Sequence, residues 1–278
     1  MSKIKFKLQK FLLGKPKILR LIKVVLNFTK KIFLNKAEYL GIDRYKFNKE
    51  LDLLEYINKN YDSTSDLFNI FISNKEKVLH KWIHYIPIYE NFLSKYKDNN
   101  VNFLEIGVAE GGSLKLFRNF LGNKALIFGI DINEECKDLD GVDGEVRIGS
   151  QSDKKFLDSV FKEMGSIDIV LDDGSHRMKD IKTTFLHLFE LLNEEGLYII
   201  EDIHTSYWKR YGGGFNSKKN FFNFLRELID DMHHWYHSND QKYPSVSKYI
   251  QAIHIYDSII VIEKKTVLEP VVVKIPDK

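Results

Sequence analysis

The residues that could do chemistry fall at the ends of two apolar runs. Ile167 to Leu171 reads as a buried strand, and it stops on Asp172-Asp173-Gly174-Ser175-His176. Gly196 to Ile200 reads as a second, and it stops on Glu201-Asp202. Apolar strands need no carboxylates, so each acid pair marks the point where a strand leaves the core. Three or four carboxylates brought together repel one another unless a cation or protons neutralise them. Hard oxygen donors with one histidine nearby and no cysteine suit magnesium or calcium better than zinc. His233, His234 and His237 also crowd together, but they sit near a helix end and lack a fourth ligand, so solvated surface is the expectation there.

The elements that hold these residues follow from periodicity. Between the two strands, Ile181, Phe185, Leu188, Phe189 and Leu192 place an apolar face on a helix from Met178 to Leu192. Strand, helix and strand make a βαβ unit whose strands are parallel neighbours, so both acid pairs arrive at one sheet edge. Ligands of open α/β sheets bind at that edge. Regular alternation begins at Val101. Strands are expected at Asn102 to Ile106, Ala125 to Ile130 and Glu145 to Ile148, with helices at Leu114 to Leu121 and Lys154 to Met164. Ile250 to Tyr256 and Ser258 to Glu263, divided by Asp257, read as a closing antiparallel hairpin. Residues 37–100 look helical, with one helix on Leu51, Leu54, Ile57 and Tyr61 and another on Leu79, Trp82, Ile86, Tyr89 and Leu93.

The first strand runs into a glycine turn, Gly107-Val-Ala-Glu-Gly-Gly-Ser113, which lacks the G-x-G-x-x-G spacing of dinucleotide sites. Glu105 lies in the strand end, and Asp131 ends the next strand, where a carboxylate can accept both ribose hydroxyls. Ser150 and Gln151, after the third strand, are placed to edge an adenine. The set suits a nucleoside without a pyrophosphate, such as S-adenosylmethionine. For Asp131 alone, the plainer reading is a turn cap.

These motifs together resemble class I S-adenosylmethionine-dependent methyltransferases, and more narrowly the metal-dependent macrocin- and mycinamicin-type sugar O-methyltransferases. The resemblance spans about Asn74 to Glu263. It rests on Glu105 to Ser113, on Asp172-Asp-Gly-Ser-His176, and on Glu201-Asp-Ile-His-Thr-Ser-Tyr-Trp208 followed by Gly212-Gly-Gly. It implies a Rossmann-like, mostly parallel sheet with S-adenosylmethionine on Glu105, Gly107, Ser113, Asp131, Ser150, Gln151 and Asp172. It further implies Mg2+ on Asp173, Glu201 and Asp202, with His176 as general base. Asp172 and Asp173 compete for the metal; the family offset favours Asp173 and leaves Asp172 to the methionine amino group. The loop from Thr205 to Phe215 reads as an acceptor lid, with His204, Tyr207 and Trp208 toward the sugar; a loop anchored by a buried Trp208 is its plainer form. The expected reaction is methyl transfer to a sugar hydroxyl of a surface glycan or glycosylated small molecule. A cephalosporin-hydroxylase-like or other small-molecule O-methyltransferase, and a non-catalytic membrane-associated protein of glycan assembly, are the alternatives.

Charge divides the chain. Residues 1–36 carry eleven Lys and Arg and no Asp or Glu, leaving 31 basic against 39 acidic residues, a balance of −8. An acidic body does not wrap nucleic acid. The arm carries an apolar stripe among lysines, split by Gly14 and Pro16, and suits either an anionic membrane surface or a homo-oligomer contact. One cysteine, Cys136, points to a reducing, cytoplasmic setting, on the inner membrane face if the arm meets lipid. No apolar run approaches the roughly 20 residues of a membrane span. Three parts are thus expected: a basic arm (1–36), a helical lead-in over the cofactor (37–100) and the methyltransferase domain (101–278).

Overall fold

The computed structural model describes residues 50–62 and 64–276, together with Val25 and Glu38. Apart from Val25, the expected basic arm lies outside the described residues.

Seven strands form one sheet: β1 (Asn102–Ile106), β2 (Leu126–Asp131), β3 (Glu145–Ile148), β4 (Ile167–Asp172), β5 (Leu192–Ile200), β6 (Ile250–Ile255) and β7 (Ile260–Lys264), in the order β3-β2-β1-β4-β5-β7-β6. The first five are parallel, and β7 runs antiparallel to both β5 and β6. The mostly parallel sheet and its closing hairpin are as the sequence indicates. Strands covered on both faces must be apolar on both. Leu104, Ile106, Val170 and Ile200 accordingly enter one core cluster, while Phe103, Ile169, Leu171 and Ile199 enter the other.

The helices α4 (Gly112–Leu121), α5 (Lys154–Met164), α6 (Met178–Leu191) and α7 (Phe221–Met232) follow β1, β3, β4 and the long loop after β5. Helix α6 buries Ile181, Phe185, Leu188 and Phe189, the face its periodicity marks. Upstream lie α1 (Leu53–Asn60), α2 (Asp66–Ser73) and α3 (Ile86–Leu93). Here the chain departs from expectation. Leu79 and Trp82 do not share a helix with Tyr89. Residues 77–82 are non-helical, Ile83–Tyr85 make one 3-10 turn, and α3 starts at Ile86 with Pro87 in its first turn. Proline removes a backbone donor and clashes with the preceding turn, so a helix tolerates it only at its start. That stop frees residues 77–82 to run as a strap.

Strand order reverses between β1 and β4, which makes their ends the switch point of the sheet. Register puts Ile106 beside Asp172 and Asp172 beside Ile200. Past these pairs the ladder continues, with Asp173 N–H donating to Ile106 O at 2.9 Å and Glu201 N–H to Asp172 O at 3.0 Å. Asp173 and Glu201 therefore emerge side by side.

Candidate active site

A cleft of about 530 Å3 opens above the switch point, lined by the strap, the glycine turn, Asp131, Asp173, His176, Glu201 and Asp202. An adjoining hollow of about 330 Å3 shares Gly107, Asp131 and Gly174 with it and adds Ser150 and Gln151. Together they have the size of a small-molecule site.

Backbone conformation at the cleft is unusual in three places. Ala109, His176 and Asp202 take positive φ of 48°, 54° and 55°. Non-glycine residues held there cost energy and gather at functional sites. Gly107 has φ of +92°, and a Cβ on it would lie 2.2 Å from the Asp173 carbonyl oxygen. Only glycine lets the turn pass this close to β4. Gly112 works likewise at the strap, since its Cβ would lie 2.1 Å from the Val78 carbonyl oxygen.

The strap organises the acids. Lys81 Nζ, on a side chain 2% exposed, bonds Asp173 Oδ2 at 2.5 Å and Glu201 Oε1 at 2.6 Å. Trp82 Nε1 and Tyr85 OH both donate to Asp202 Oδ1, at 3.1 and 2.9 Å. Asp173 and Asp202 are thus each held by one oxygen and offer the other. The two free oxygens face His176 Nε2 at 3.8 and 3.9 Å, too far for hydrogen bonds. Among the described residues, Asp173, His176 and Asp202 form the one group whose ligand atoms lie within 4.8 Å of one another.

The charges do not balance. Burial opposes the Lys81 ammonium, but Asp173 and Glu201 outweigh it and push its pKa up, so it stays charged. It cannot neutralise four carboxylates. Burial and the charge of Asp173 push Glu201 well above the usual carboxylate range. Burial raises Glu105 to about 7. Glu105 accepts from Ser113 Oγ through Oε1, whereas its buried Oε2 has no partner. An acidic cluster short of positive charge, offering hard donors without sulfur, fits a divalent cation. The orphaned Oε2 fits an ammonium.

The expected site residues separate into those brought to the cleft and those placed elsewhere. Gly107, Ser113, Asp131, Asp173, His176, Glu201 and Asp202 line it. Asp131 accepts from Ala109 N–H at 3.0 Å and Asn133 N–H at 2.8 Å, so the turn-cap reading is also realised. Glu201, expected with Asp173 and Asp202 on the metal, is turned toward Lys81 and stands outside the close group. Asp172, expected at the methionine amino group, is buried away from the cleft. Gln151 Nε2 bonds it at 3.1 Å, and burial raises it to about 6. Strand alternation turns Asp172 to the face opposite its neighbours. Gln151 lines the smaller hollow, yet its Oε1 accepts from Ser175 N–H at 2.6 Å; Ser150 lines the hollow too, its Oγ 3.1 Å from Ser152 Oγ. Of the lid residues, Trp208 is buried and Tyr207 packs on Phe215 and Phe222; neither lines the cleft. The anchored-loop form is therefore the one observed. His204 sits 3.9 Å from Asp202 Oδ1, its ring bonded to Ser258 Oγ, and burial lowers its pKa. His233, His234 and His237 each bond a backbone carbonyl instead of sharing a centre.

The sequence places the segment of Lys81, Trp82 and Tyr85 over the cofactor but does not single out these three as site residues. Their one signal is a lysine set in an aromatic, apolar run, His80-Lys-Trp-Ile-His-Tyr85, where a charge has no place unless something pairs with it.

No family model matches the chain. It is 34% identical over 216 residues to the mycinamicin VI 2''-O-methyltransferase of Micromonospora griseorubida, covering 72% of this chain and 52% of that one. It is 32% identical over 197 residues to the 8-demethyl-8-alpha-L-rhamnosyl tetracenomycin-C 2'-O-methyltransferase of Streptomyces olivaceus, covering 66% and 52%. Among solved structures, MycE methyltransferase from the mycinamycin biosynthetic pathway, in complex with Mg, SAH and mycinamycin VI, superposes with a TM-score of 0.63 at 30% identity, over 74% of this chain and 54% of that one. The chain spans about half the length of the curated relatives it matches.

Proposed function

The chain belongs to the class I S-adenosylmethionine-dependent methyltransferases of the macrocin and mycinamicin type, and on that premise we propose that it methylates a sugar hydroxyl with the help of Mg2+. The observation that carries this reading is the close set of Asp173, His176 and Asp202 at the switch point, beside a cleft that can take the methyl donor. The relatives are named for methylating sugars of glycosylated natural products, and MycE is solved with Mg and SAH.

Asp131 would hold the ribose, and Glu105 the ammonium of the methionine moiety through its free oxygen. Asp173 and Asp202 would hold the metal, with Glu201 joining when Lys81 yields it. Bound Mg2+ supplies a Lewis acid that lowers the pKa of a hydroxyl beside it. His176 takes the hydroxyl proton at Nε2, which neither carboxylate engages. An imidazole with a free ring nitrogen can act as a general base.

Transfer of label from S-adenosylmethionine to a panel of free, glycosidic and nucleotide-linked sugars tests the proposal. Mg2+-dependent transfer that EDTA abolishes is expected. Transfer at full rate in EDTA would remove the metal from the reaction, and binding of S-adenosylhomocysteine without transfer to any sugar would favour a non-catalytic role.

A further inference from the structure

Another hollow, of about 740 Å3, adjoins the cleft across a single peptide bond: His176 lines the cleft and Arg177 lines the hollow. Tyr211 lines it too, with its ring centroid 6.4 Å from that of His176. Five cations converge there. Arg177, Lys179 and Lys182 come from the start of α6, and Lys218 and Lys219 from the residues leading into α7.

Two acids, Asp180 and Glu227, line the hollow as well and leave the cations in excess. Asp180 accepts from Ser175 Oγ at 2.9 Å. Glu227 is taken by Lys242 Nζ at 2.7 Å and Tyr243 OH at 2.8 Å. Lys182 is held in place rather than waving in solvent: its Nζ bonds Tyr243 OH at 2.6 Å and sits 4.7 Å above the Phe224 ring. Among the described residues, no ion pair engages the side chains of Arg177, Lys179, Lys218 or Lys219.

Residues 37–278 carry a net charge of −8, so five cations in one hollow run against the composition around them. A concave surface with an excess of one sign concentrates counter-ions. Phosphate oxygens are strong charge-assisted partners of arginine and lysine. We infer that this hollow takes the phosphate or diphosphate of a phosphorylated acceptor, whose sugar ring then lies past Tyr211 against His176. The inference rests on the sugar-methylation reading and narrows it: the acceptor is an anionic sugar ester, not a neutral glycoside.

The test measures binding first and transfer second. Calorimetry of the full chain with inorganic pyrophosphate, UDP and methyl glucoside should show binding of the two anions, weakening as salt is raised. A Lys218→Glu/Lys219→Glu variant should lose tenfold or more of the pyrophosphate affinity, with its melting temperature and S-adenosylhomocysteine affinity unchanged. Lys179→Glu should reproduce the loss from the other stretch of chain. Labelled transfer to a sugar 1-phosphate, a nucleotide sugar and a methyl glycoside then separates the sources of the phosphate. Equal pyrophosphate affinity in parent and both variants overturns the inference. So does methylation of the neutral glycoside as fast as of the phosphorylated sugars. Failure of the parent to bind S-adenosylhomocysteine would instead strike the methyltransferase reading and leave the anion result standing.

Discussion

Replacing Glu105 by glutamine tests whether a buried carboxylate in β1 stores uncompensated charge. Glu105 is fully buried, its Oε2 has no partner, and burial raises it from 4.5 to about 7. A carboxyl whose folded pKa lies above its unfolded one contributes stability in its protonated form. That contribution is fully present below pH 4.5 and is lost as pH rises through 7. At about 1.36 kcal/mol per unit, the loss between pH 4.5 and 8 amounts to roughly 3 kcal/mol. For a chain of this size that corresponds to roughly 6–12 °C in melting temperature. Glutamine keeps the shape and hydrogen-bonding of the neutral acid and cannot ionise. In EDTA and without cofactor, the Glu105→Gln protein should therefore lose that much less stability than the parent between pH 5 and 8, read by urea titration at each pH. Parallel stability profiles for the two proteins would show that Glu105 is compensated in the apo state, and the argument for an ammonium at its free oxygen would fall.

The remaining predictions concern single side chains. Lys81→Met leaves Asp173 and Glu201 buried without their cation, which should cost about 3–5 kcal/mol in EDTA, with Mg2+ restoring more stability to the variant than it adds to the parent; melting in EDTA at the parent temperature would contradict the strap. His176→Ala should bind S-adenosylhomocysteine as the parent does while turnover drops 10²–10⁴-fold, and parental turnover at pH 7 would pass the proton to another group, with His204 next in reach. Trp208→Ala should act through folding, losing about 3–5 kcal/mol, so a raised acceptor KM in a fully stable variant would restore the lid. Gly107→Ala should abolish cofactor binding, because the new methyl has no room beside Asp173 O; intact binding by calorimetry would show that the turn relaxes.

Local patterns carried most of the fold. The alternation after Val101 fixes type and order because the inner parallel strands are apolar on both faces and each helix on one. The acids at 172–173 and 201–202 stand out because each pair directly follows an uncharged apolar stretch, Ile169–Leu171 and Gly196–Ile200. Three matters needed the three-dimensional structure. Asp172 and Asp173 look alike in sequence, and only the pleat turns one into the core and the other into the cleft. Trp208 carries no local sign of whether its ring lies inward or outward. Lys81 lies 92 residues from Asp173 and 120 from Glu201, and a contact at such separation leaves no periodic trace.

The strap also bears on where the chain can be cut. A fragment starting at Val101 would keep every strand, each carboxylate and His176. It would lose Lys81, Trp82 and Tyr85, and with them the donors that hold Asp173, Glu201 and Asp202. The smallest piece able to assemble the site therefore begins upstream of the strap, and the helical lead-in belongs to the same heritable unit as the sheet. Insertions are poorly tolerated from Lys81 to Tyr85, where one added residue would shift at least one of the three donors out of register with its acid.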